Sequence, residues 1–134
     1  MDKALSVLSI ARKAGKLQPG EEAATSAARD KKARLILLAS DTAENTASKM
    51  TFIAERFNCT IFTVAVTKEE LGAAVGISRC AVLAVTDMGL AALTAERLAA
   101  KDSKLGPAAQ EMRAKADKMD RRKKQTAKSK KKRG

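Results

Sequence analysis

Histidine, tryptophan and tyrosine are all absent, so the side chains of this chain that can do chemistry are carboxylates, aliphatic hydroxyls, the cations of lysine and arginine, and two thiols. Without an imidazole there is no Ser-His-Asp triad and no histidine metal ligand. Asp41 and Asp87 each follow an apolar run, and the ends of such strands are where open α/β sheets place ligands. This pair would suit a hydrolase or transferase, but each aspartate also stands where it would cap the next helix. No phosphate-binding glycine loop accompanies the pair, so we predict a protein that is not an enzyme and holds no metal or cofactor.

The two cysteines, Cys59 and Cys80, both lie in apolar stretches. A metal pair or a disulfide is one interpretation, and two isolated, buried thiols are the simpler one. Lone thiols in a lysine-rich chain fit a reducing compartment, so we expect a cytoplasmic protein. The N-terminal segment carries Asp2 and lacks the continuous apolar stretch of a signal peptide, and no apolar run approaches the roughly 18 residues of a membrane span.

Positive charge is distributed very unevenly along the chain. Residues 1–100 hold 13 basic and 11 acidic residues, whereas residues 101–134, the C-terminal tail, hold 14 and 4. The net charge of +12 therefore comes almost entirely from the tail, which points to nucleic acid or, less often, to an anionic membrane. A merely solubilising tail is the alternative to an arm that binds polyanions. The tail has few apolar residues to bury, so we expect it to be largely disordered or partly helical.

A turn ending in Gly20 opens a short helix that has Glu21 and Glu22 in its first turn. A helix that begins at a glycine presents unpaired backbone N–H groups and its positive dipole end, which suit a phosphate or a base edge. At the other end of the helix lies a group of cations that we call the basic corner. It consists of Arg29, Lys31, Lys32 and Arg34. The alternative is an ordinary packing helix, whose alanines and serines let it lie close against another surface.

The elements that must position these residues follow from the apolar pattern. Helical spacing alternates with continuous apolar runs, and the short segment at 17–18 can add an edge strand. The helical segments are 3–14, 20–30, 43–57, 67–75 and 88–100, and the apolar runs are 35–39, 60–66 and 80–85. This order predicts an α/β fold, a three-layer α/β/α sandwich with a small mixed sheet of about four strands. We expect one domain over residues 1–100, followed by the basic C-terminal tail.

Four spaced motifs in the chain are similar to those of a known family. They are Lys16-Leu-Gln-Pro-Gly20, Ala33–Ala39 with Asp41, Asn45 and Thr46, Glu70-Leu71-Gly72 with Gly76, and Arg79–Asp87. In order and over about residues 3–100, the chain resembles the kink-turn-binding ribosomal protein family (L-seven-Ae and L-thirty-e), most closely its bacterial YlxQ-type members. The resemblance implies the same three-layer sandwich and binding of RNA at sharply bent stem–internal-loop–stem elements.

The resemblance also implies two RNA-binding surfaces. In the family, the N-terminus of the helix after the glycine docks on tandem G·A pairs, and the apolar loop before the last strand covers extruded bases. The first surface here is Gly20, Glu21, Glu22, Ala23 and Ser26, and the second is Ile77, Ser78 and Arg79. Strong kink-turn binders have an Asn-Glu or Lys-Gln pair and a following lysine where this chain has Glu22, Ala23 and Ser26. Lys16 and the basic corner would add contacts to phosphates.

The aromatic residues support structured RNA over single strands as the partner. Phe52, Phe57 and Phe62 fall in helix-face or strand patterns and are expected in the core. Without tyrosine or tryptophan, no stacking platform for single strands is expected. We therefore predict a monomeric RNA-binding protein, ribosome-associated or bound to rRNA or a kink-turn element. The alternative is a protein-interaction adaptor in a ribosome or transcription complex, with a tail that binds polyanions non-specifically.

Overall fold

The structure, a computed structural model, describes residues 3–133, with the backbone alone for residues 126–133. Residues 1 and 2, at the start of the predicted domain, and residue 134, at the end of the predicted tail, lie outside the described residues; Asp2 is one of them. The helices are α1 (Lys3–Lys13), α2 (Glu21–Arg29), α3 (Glu44–Arg56), α4 (Lys68–Val75), α5 (Met88–Ala99) and α6 (Gly106–Arg133). The strands are β1 (Leu17–Pro19), β2 (Leu35–Leu38), β3 (Thr60–Thr63) and β4 (Val82–Val85), and a 3₁₀ turn at Ser103–Leu105 precedes α6.

The four strands form one mixed sheet in the order β1-β4-β2-β3. β2 and β3 are parallel, whereas β4 runs antiparallel to both of its neighbours, β1 and β2. Consequently β1, β2 and β3 all end at one edge of the sheet, where β4 begins; we call this the upper edge. The opposite edge, where β1, β2 and β3 begin and β4 ends, is the lower edge. The expected small mixed sheet and its added edge strand at 17–18 are confirmed.

Both faces of the two central strands are buried, which explains why β2 and β4 read as continuous apolar runs. Successive side chains of a strand point to opposite faces, so the core divides into two clusters. Leu35, Leu37, Leu83 and Val85 pack with α1, α4 and α5 on one face, and Ile36, Leu38, Val82 and Ala84 pack with α2 and α3 on the other. The three-layer α/β/α sandwich expected from the alternating pattern is therefore confirmed.

All three predicted strands are shorter than their apolar runs, and β2 ends at Leu38, one residue before the end of the run 35–39. The run 60–66 forms a strand only to Thr63, and the run 80–85 forms one only from Val82. The leftover residues bond to loops at the upper edge instead. The amide of Cys80 donates to the Lys68 carbonyl at 3.0 Å, and the Ser40 amide donates to the Val66 carbonyl at 2.8 Å. These turn contacts satisfy the backbone polar groups that a longer ladder would otherwise have paired.

The three phenylalanines do not all lie in the core. Phe62 is buried and Phe57 is half-buried, but 63% of the surface of Phe52 is exposed. The expectation for Phe52 is therefore wrong. The buried stripe of α3 passes through Met50, Ile53 and Ala54, and Phe52 is turned roughly 200° from Met50 at 100° per residue. It therefore points to the solvent side of the helix.

The C-terminal tail contributes a long helix, of which the first half belongs to the core. Ala109, Met112 and Ala116 are buried against α5, and they recur at the three- and four-residue spacing of a helix face. Pro107 stands in the first turn of α6, where its missing N–H costs nothing. The backbone of residues 106–133 forms this helix. The core thus continues past residue 100.

Candidate nucleic-acid interface

The upper edge brings together the starts of three helices. α2 begins after Gly20, α3 after Ala43 and α4 after Thr67, because each of these helices follows a strand that ends there. The loop before β4 lies at the same edge, since the Gly20 amide donates to the carbonyl of Val82 at 2.8 Å. The two surfaces implied by the resemblance, at the start of α2 and at residues 77–79, are therefore neighbours along one edge of the sheet.

The N-terminus of α2 is open. Gly20 has φ 105° and ψ 154°, a backbone conformation that is essentially restricted to glycine, and no side chain caps the helix within the described residues. By contrast, Thr67 forms a capping box with Glu70 at the start of α4, and Asp87 caps α5. The first-turn N–H groups of α2 thus remain available to an outside acceptor. Ala43 likewise gives α3 no side-chain cap, so two open helix starts lie in one layer.

Open grooves lie on both sides of the exposed ridge of α2. The first, of about 560 Å³, is shared with α3. The second, of about 400 Å³, is shared with β1 and the end of β4. Ala23 and Ser26 border both grooves. The first is lined by Glu22, Ala23, Thr25, Ser26, Arg29 and Lys49. The second is lined by Gly15, Lys16, Gln18, Ala23, Ser26, Ala27, Asp30, Lys32 and Thr86. The predicted residues Lys16, Glu22, Ser26, Arg29 and Lys32 therefore all reach one groove or the other.

Lys49 is a groove residue that the sequence analysis did not identify. Its Nζ lies 2.9 Å from Oε1 of Glu21; the Lys49 side chain is largely exposed and that of Glu21 is partly exposed. Lys49 comes from α3, so no spacing within the α2 segment could reveal it. The only signal was indirect: the resemblance expects a lysine near the position of Ser26, and a cation from a neighbouring helix stands in the same groove.

The basic corner lies at the lower edge, one helix length from Gly20. The nine residues of α2 span about 13 Å, so the open helix start and the corner are distinct sites. Lys31 has a left-handed backbone with φ 59°. The amides of Lys31 and Lys32 donate to the carbonyls of Ala28 and Ala27 at 3.0 and 2.8 Å, which closes α2 as glycine usually does. The strained lysine backbone thus holds this corner in a defined shape.

The loop at 77–79 is held close to α4. A Cβ on Gly72 would lie 2.7 Å from the Ile77 carbonyl oxygen and 2.8 Å from the Arg79 amide nitrogen, so only glycine fits there. Ile77 is half-buried against the core, whereas Ser78 and Arg79 are exposed. The Arg79 guanidinium donates to Oε1 of Glu69 at 2.9 and 3.2 Å, and this bond lowers the pKa of Glu69. The loop presents polar groups of fixed position at the upper edge.

The carboxylate pair considered for catalysis is not a pair in space. Asp41 accepts a hydrogen bond from the Lys68 amide at 2.8 Å, at the upper edge. Asp87 accepts from the Leu90 amide at 2.9 Å, at the lower edge, because β4 is antiparallel to β2. The dyad interpretation of Asp41 and Asp87 is therefore wrong, and both carboxylates serve as helix caps.

The two thiols lie on opposite sides of the sheet, too far apart in the fold to form a disulfide. Cys80 packs in the cluster with α1, α4 and α5, and Cys59 lies against the cluster of α2 and α3. Burial raises the pKa of Cys59 to about 11 and raises that of Cys80. Within the described part of the chain, no group of three metal-binding side chains comes together. Across the same residues, no helix is both long and apolar enough to cross a membrane.

Known proteins resemble this chain in sequence and fold. A family model described as the "Ribosomal protein L7Ae/L30e/S12e/Gadd45 family" matches residues 2–94. A Bacillus halodurans protein of unknown function superposes with a TM-score of 0.70 at 28% identity, over 73% of this chain and 98% of the other. A Giardia lamblia 15.5kD RNA binding protein shares the fold, with a TM-score of 0.61 at 20% identity, over 75% of this chain and 85% of the other. No curated protein matches this chain.

Proposed function

This chain belongs to the L7Ae/L30e/S12e/Gadd45 family of ribosomal proteins, and from that premise we propose that it is a non-enzymatic RNA-binding protein. Its RNA is structured and of the kink-turn type, and the start of α2 recognises it. The observation that carries the proposal is the open N-terminus of α2 after Gly20, flanked by two grooves that contain cations. The description of the Giardia protein as an RNA-binding protein supports the same class of partner.

The chemistry of this surface suits a bent RNA element. The free N–H groups at the start of α2 can donate to base edges or phosphate oxygens, and the helix dipole favours the negative partner. The exposed carboxylate of Glu22 can accept a hydrogen bond from an amino group of guanine or cytosine. Ala23 projects only a methyl group, so an RNA surface can approach the helix backbone closely. Recognition would therefore rest on backbone geometry more than on long side chains.

Lys49 supplies a cation where the family motif would place a lysine on α2 itself. It stands in the groove with Ser26, and its contact with Glu21 offsets one of the two negative charges at the helix start. A phosphate that enters this groove would meet Arg29 and Lys49 from two helices. We propose that this arrangement compensates for Ser26, so that the interface keeps a phosphate contact with different residues.

The remaining features of the proposal follow from the same surface. The loop at 77–79 lies beside the start of α2 and would touch the same RNA. A ribosomal RNA or a kink-turn element is the proposed partner, bound by a monomer in the cytoplasm, where both free thiols would persist. An adaptor in a ribosome or transcription complex would use this edge for protein contacts instead, and the experiment below separates the two.

The sharpest test is Ala23→Asp, measured with a kink-turn RNA and with a plain duplex of equal length. An aspartate in the first turn favours the helix dipole, so folding stability should be maintained or raised. The new carboxylate would stand between both grooves and repel phosphates. We expect the preference for the kinked RNA to be lost.

The matched control is Ala65→Asp, which adds the same charge at an exposed position after β3, on the side of α5. It should leave the preference unchanged. If Ala23→Asp binds kinked and plain RNA as the unaltered chain does, recognition by α2 is wrong. A full chain that shows no preference for the kinked RNA would favour the adaptor.

A further inference from the structure

We propose that the exposed basic residues 121–124 of α6 and the basic corner form one surface that holds the phosphate backbone of an RNA duplex. The inference rests on the proposed function, and it adds residues 121–124 of α6, which lie outside residues 2–94, the segment that matches the family model. This surface would bind an RNA stem that flanks the element recognised by α2. The surface consists of Lys16, the basic corner, Arg121, Arg122, Lys123 and Lys124.

The direction of α6 brings its basic half to the lower edge. α5 starts at the lower edge after β4, and α6 packs against it in the opposite direction. Near the end of α5, Arg113 donates to Oε1 of Glu96 at 2.6 and 3.1 Å. At the start of α5, Lys123 shares a groove of about 280 Å³ with Asp87. The helix therefore runs back along the whole of α5 and reaches the lower edge at about Lys123.

A continuous path of neighbours joins α6 to the basic corner. Asp87 follows Thr86 in the chain, and Thr86 lines the second groove of α2 together with Lys16 and Lys32. The Thr86 amide donates to the Lys16 carbonyl at 2.9 Å. On the other side of β4, the Arg34 amide donates to the Val85 carbonyl at 2.8 Å. Cations from three separate parts of the sequence therefore surround the end of β4.

The charge of α6 increases towards the end that leaves the domain. The first part of the helix pairs its charges, as in the contacts of Arg113 with Glu96 and of Lys115 with Glu111. Asp120, which lies 3.4 Å from Lys124, is the last acidic residue in the sequence. Residues 125–133 contain five basic and no acidic residues. The backbone of α6 continues as a helix over these nine residues, about 14 Å beyond Lys124.

A nucleic-acid backbone fits this surface better than a membrane does. Helices that lie on membranes carry an apolar face along their length, but the sequence after Met119 contains only alanine at position 127 as an apolar residue. Arg121, Arg122, Lys123 and Lys124 are consecutive and therefore point in four directions around the helix. A duplex, whose phosphates repeat along both strands, can satisfy cations that point in different directions.

The test uses the full chain and two kink-turn RNAs that differ only in the length of one stem. The variant Arg121→Gln with Lys123→Gln removes two charges from α6, and Lys16→Gln with Lys32→Gln removes two from the lower edge. The charge-matched control is Lys104→Gln with Lys115→Gln; Lys104 lies in the 3₁₀ turn before α6 and Lys115 in the first half of α6. Binding is measured as a function of salt concentration.

For the long-stem RNA, each test variant should lower the slope of log K against log salt by about 0.9 for every phosphate that is no longer neutralised, and weaken binding about tenfold at 0.1 M salt. The short-stem RNA and the control variant should show much smaller changes. Equal losses of affinity for both RNAs, or losses no larger than those of the control, would overturn the inference. So would a loss of binding to phosphatidylserine vesicles while binding to the long-stem RNA is retained, since the partner would then be a membrane.

The two proposals fail in different ways. If Ala23→Asp abolishes the preference for kinked RNA but stem length has no effect, only the lower-edge surface is wrong. If the affinity depends on stem length and on the α6 charges but no preference for a kink exists, recognition by α2 is wrong. The lower-edge surface would then be a general contact for duplex RNA.

Discussion

Two surface helices, α2 and α6, present polar groups to a partner in opposite ways. α2 has nine residues and is held against the sheet by Ala24, Ala27 and Ala28, which are all buried. α6 has 28 residues, and among those up to residue 125, whose side chains the structure describes, the buried positions Ala109, Met112 and Ala116 all belong to its first half. A closely docked helix can present its backbone in a fixed place, as recognition of a shape requires. A projecting charged helix needs no such accuracy, because charge acts over a Debye length of about 10 Å.

Among single substitutions, the largest expected effect on stability comes from one that weakens the attachment of α6. Met112 is 3% exposed, so Met112→Ala should lower the free energy of unfolding by about 2–5 kcal/mol, through reduced burial and the cavity left behind. Chemical denaturation measures this change. The preference of the folded variant for kinked over plain RNA should be unchanged, since α2 lies on the opposite side of the sheet. The control is Gln110→Ala on the exposed side of the same helix, for which a change within about 0.5 kcal/mol is expected.

Ending the chain at residue 100 should destabilise it more than Met112→Ala does. Such a truncation removes Ala109, Met112 and Ala116 together and exposes the face of α5 that they cover. A truncated chain as stable as the full one would show that α6 is an attached arm and not a part of the core.

The next effect concerns the start of α2. Gly20→Ala meets no neighbouring atom, so its cost is that of the backbone conformation, about 1–3 kcal/mol. Because the helix start must shift, discrimination between kinked and plain RNA should be lost while salt-dependent binding through α6 is retained. Gly15→Ala is the comparison for the cost in stability alone, since Gly15 also has a positive φ and open space but lines the second groove of α2. Unaltered discrimination in Gly20→Ala would show that the position of this helix start is not what the RNA reads.

At the basic corner we expect a substitution that raises stability, by less than the preceding substitutions lower it. Lys31→Gly relieves a left-handed lysine and should stabilise the protein by about 0.5–1 kcal/mol, after the greater flexibility of glycine in the unfolded chain is allowed for. Affinity for duplex RNA should fall, because one cation is removed. Asn58→Gly, at φ 53°, should give a smaller gain because asparagine tolerates this conformation. Thermal unfolding measures the change in stability, and a salt titration measures the change in affinity for duplex RNA. A loss of stability in Lys31→Gly would show that the lysine is not strained.

The smallest expected effect on stability is that of Lys49→Gln. The pair with Glu21 is exposed, so its removal should change the free energy of unfolding by less than about 0.5 kcal/mol. Binding of kinked RNA should nevertheless weaken several-fold and the salt slope should fall by about 0.9, as expected when one phosphate is no longer neutralised. Lys68→Gln, on α4, serves as the control with the same change of charge. If the two variants bind RNA alike, Lys49 is not the cation that compensates for Ser26.

Much of the fold could be predicted because its signals are local. The continuous run at 35–39, the capping box at Thr67 and the glycines that end α1 and α4 each follow from a few neighbouring residues. Phe52 and the strand ends at 64–66 and 80–81 were misjudged, because burial and ladder length depend on which partner lies opposite. The exposure of Phe52 follows from how α3 is rotated against the sheet: the buried stripe through Met50, Ile53 and Ala54 faces the sheet, and Phe52 lies on the other side of the helix.

The features of the candidate site likewise fall into those that follow from the local sequence and those that depend on the tertiary structure. The sequence by itself determined that a glycine opens α2, that cations close it and that the tail carries the excess charge, since these are properties of residue type and order. Only the tertiary structure decided that Asp41 and Asp87 lie at opposite edges, that Lys49 enters the groove of α2 and that α6 returns to the basic corner. The physical reason is that strand direction and helix packing bring together residues far apart in the chain, and spacing along the sequence does not contain those contacts.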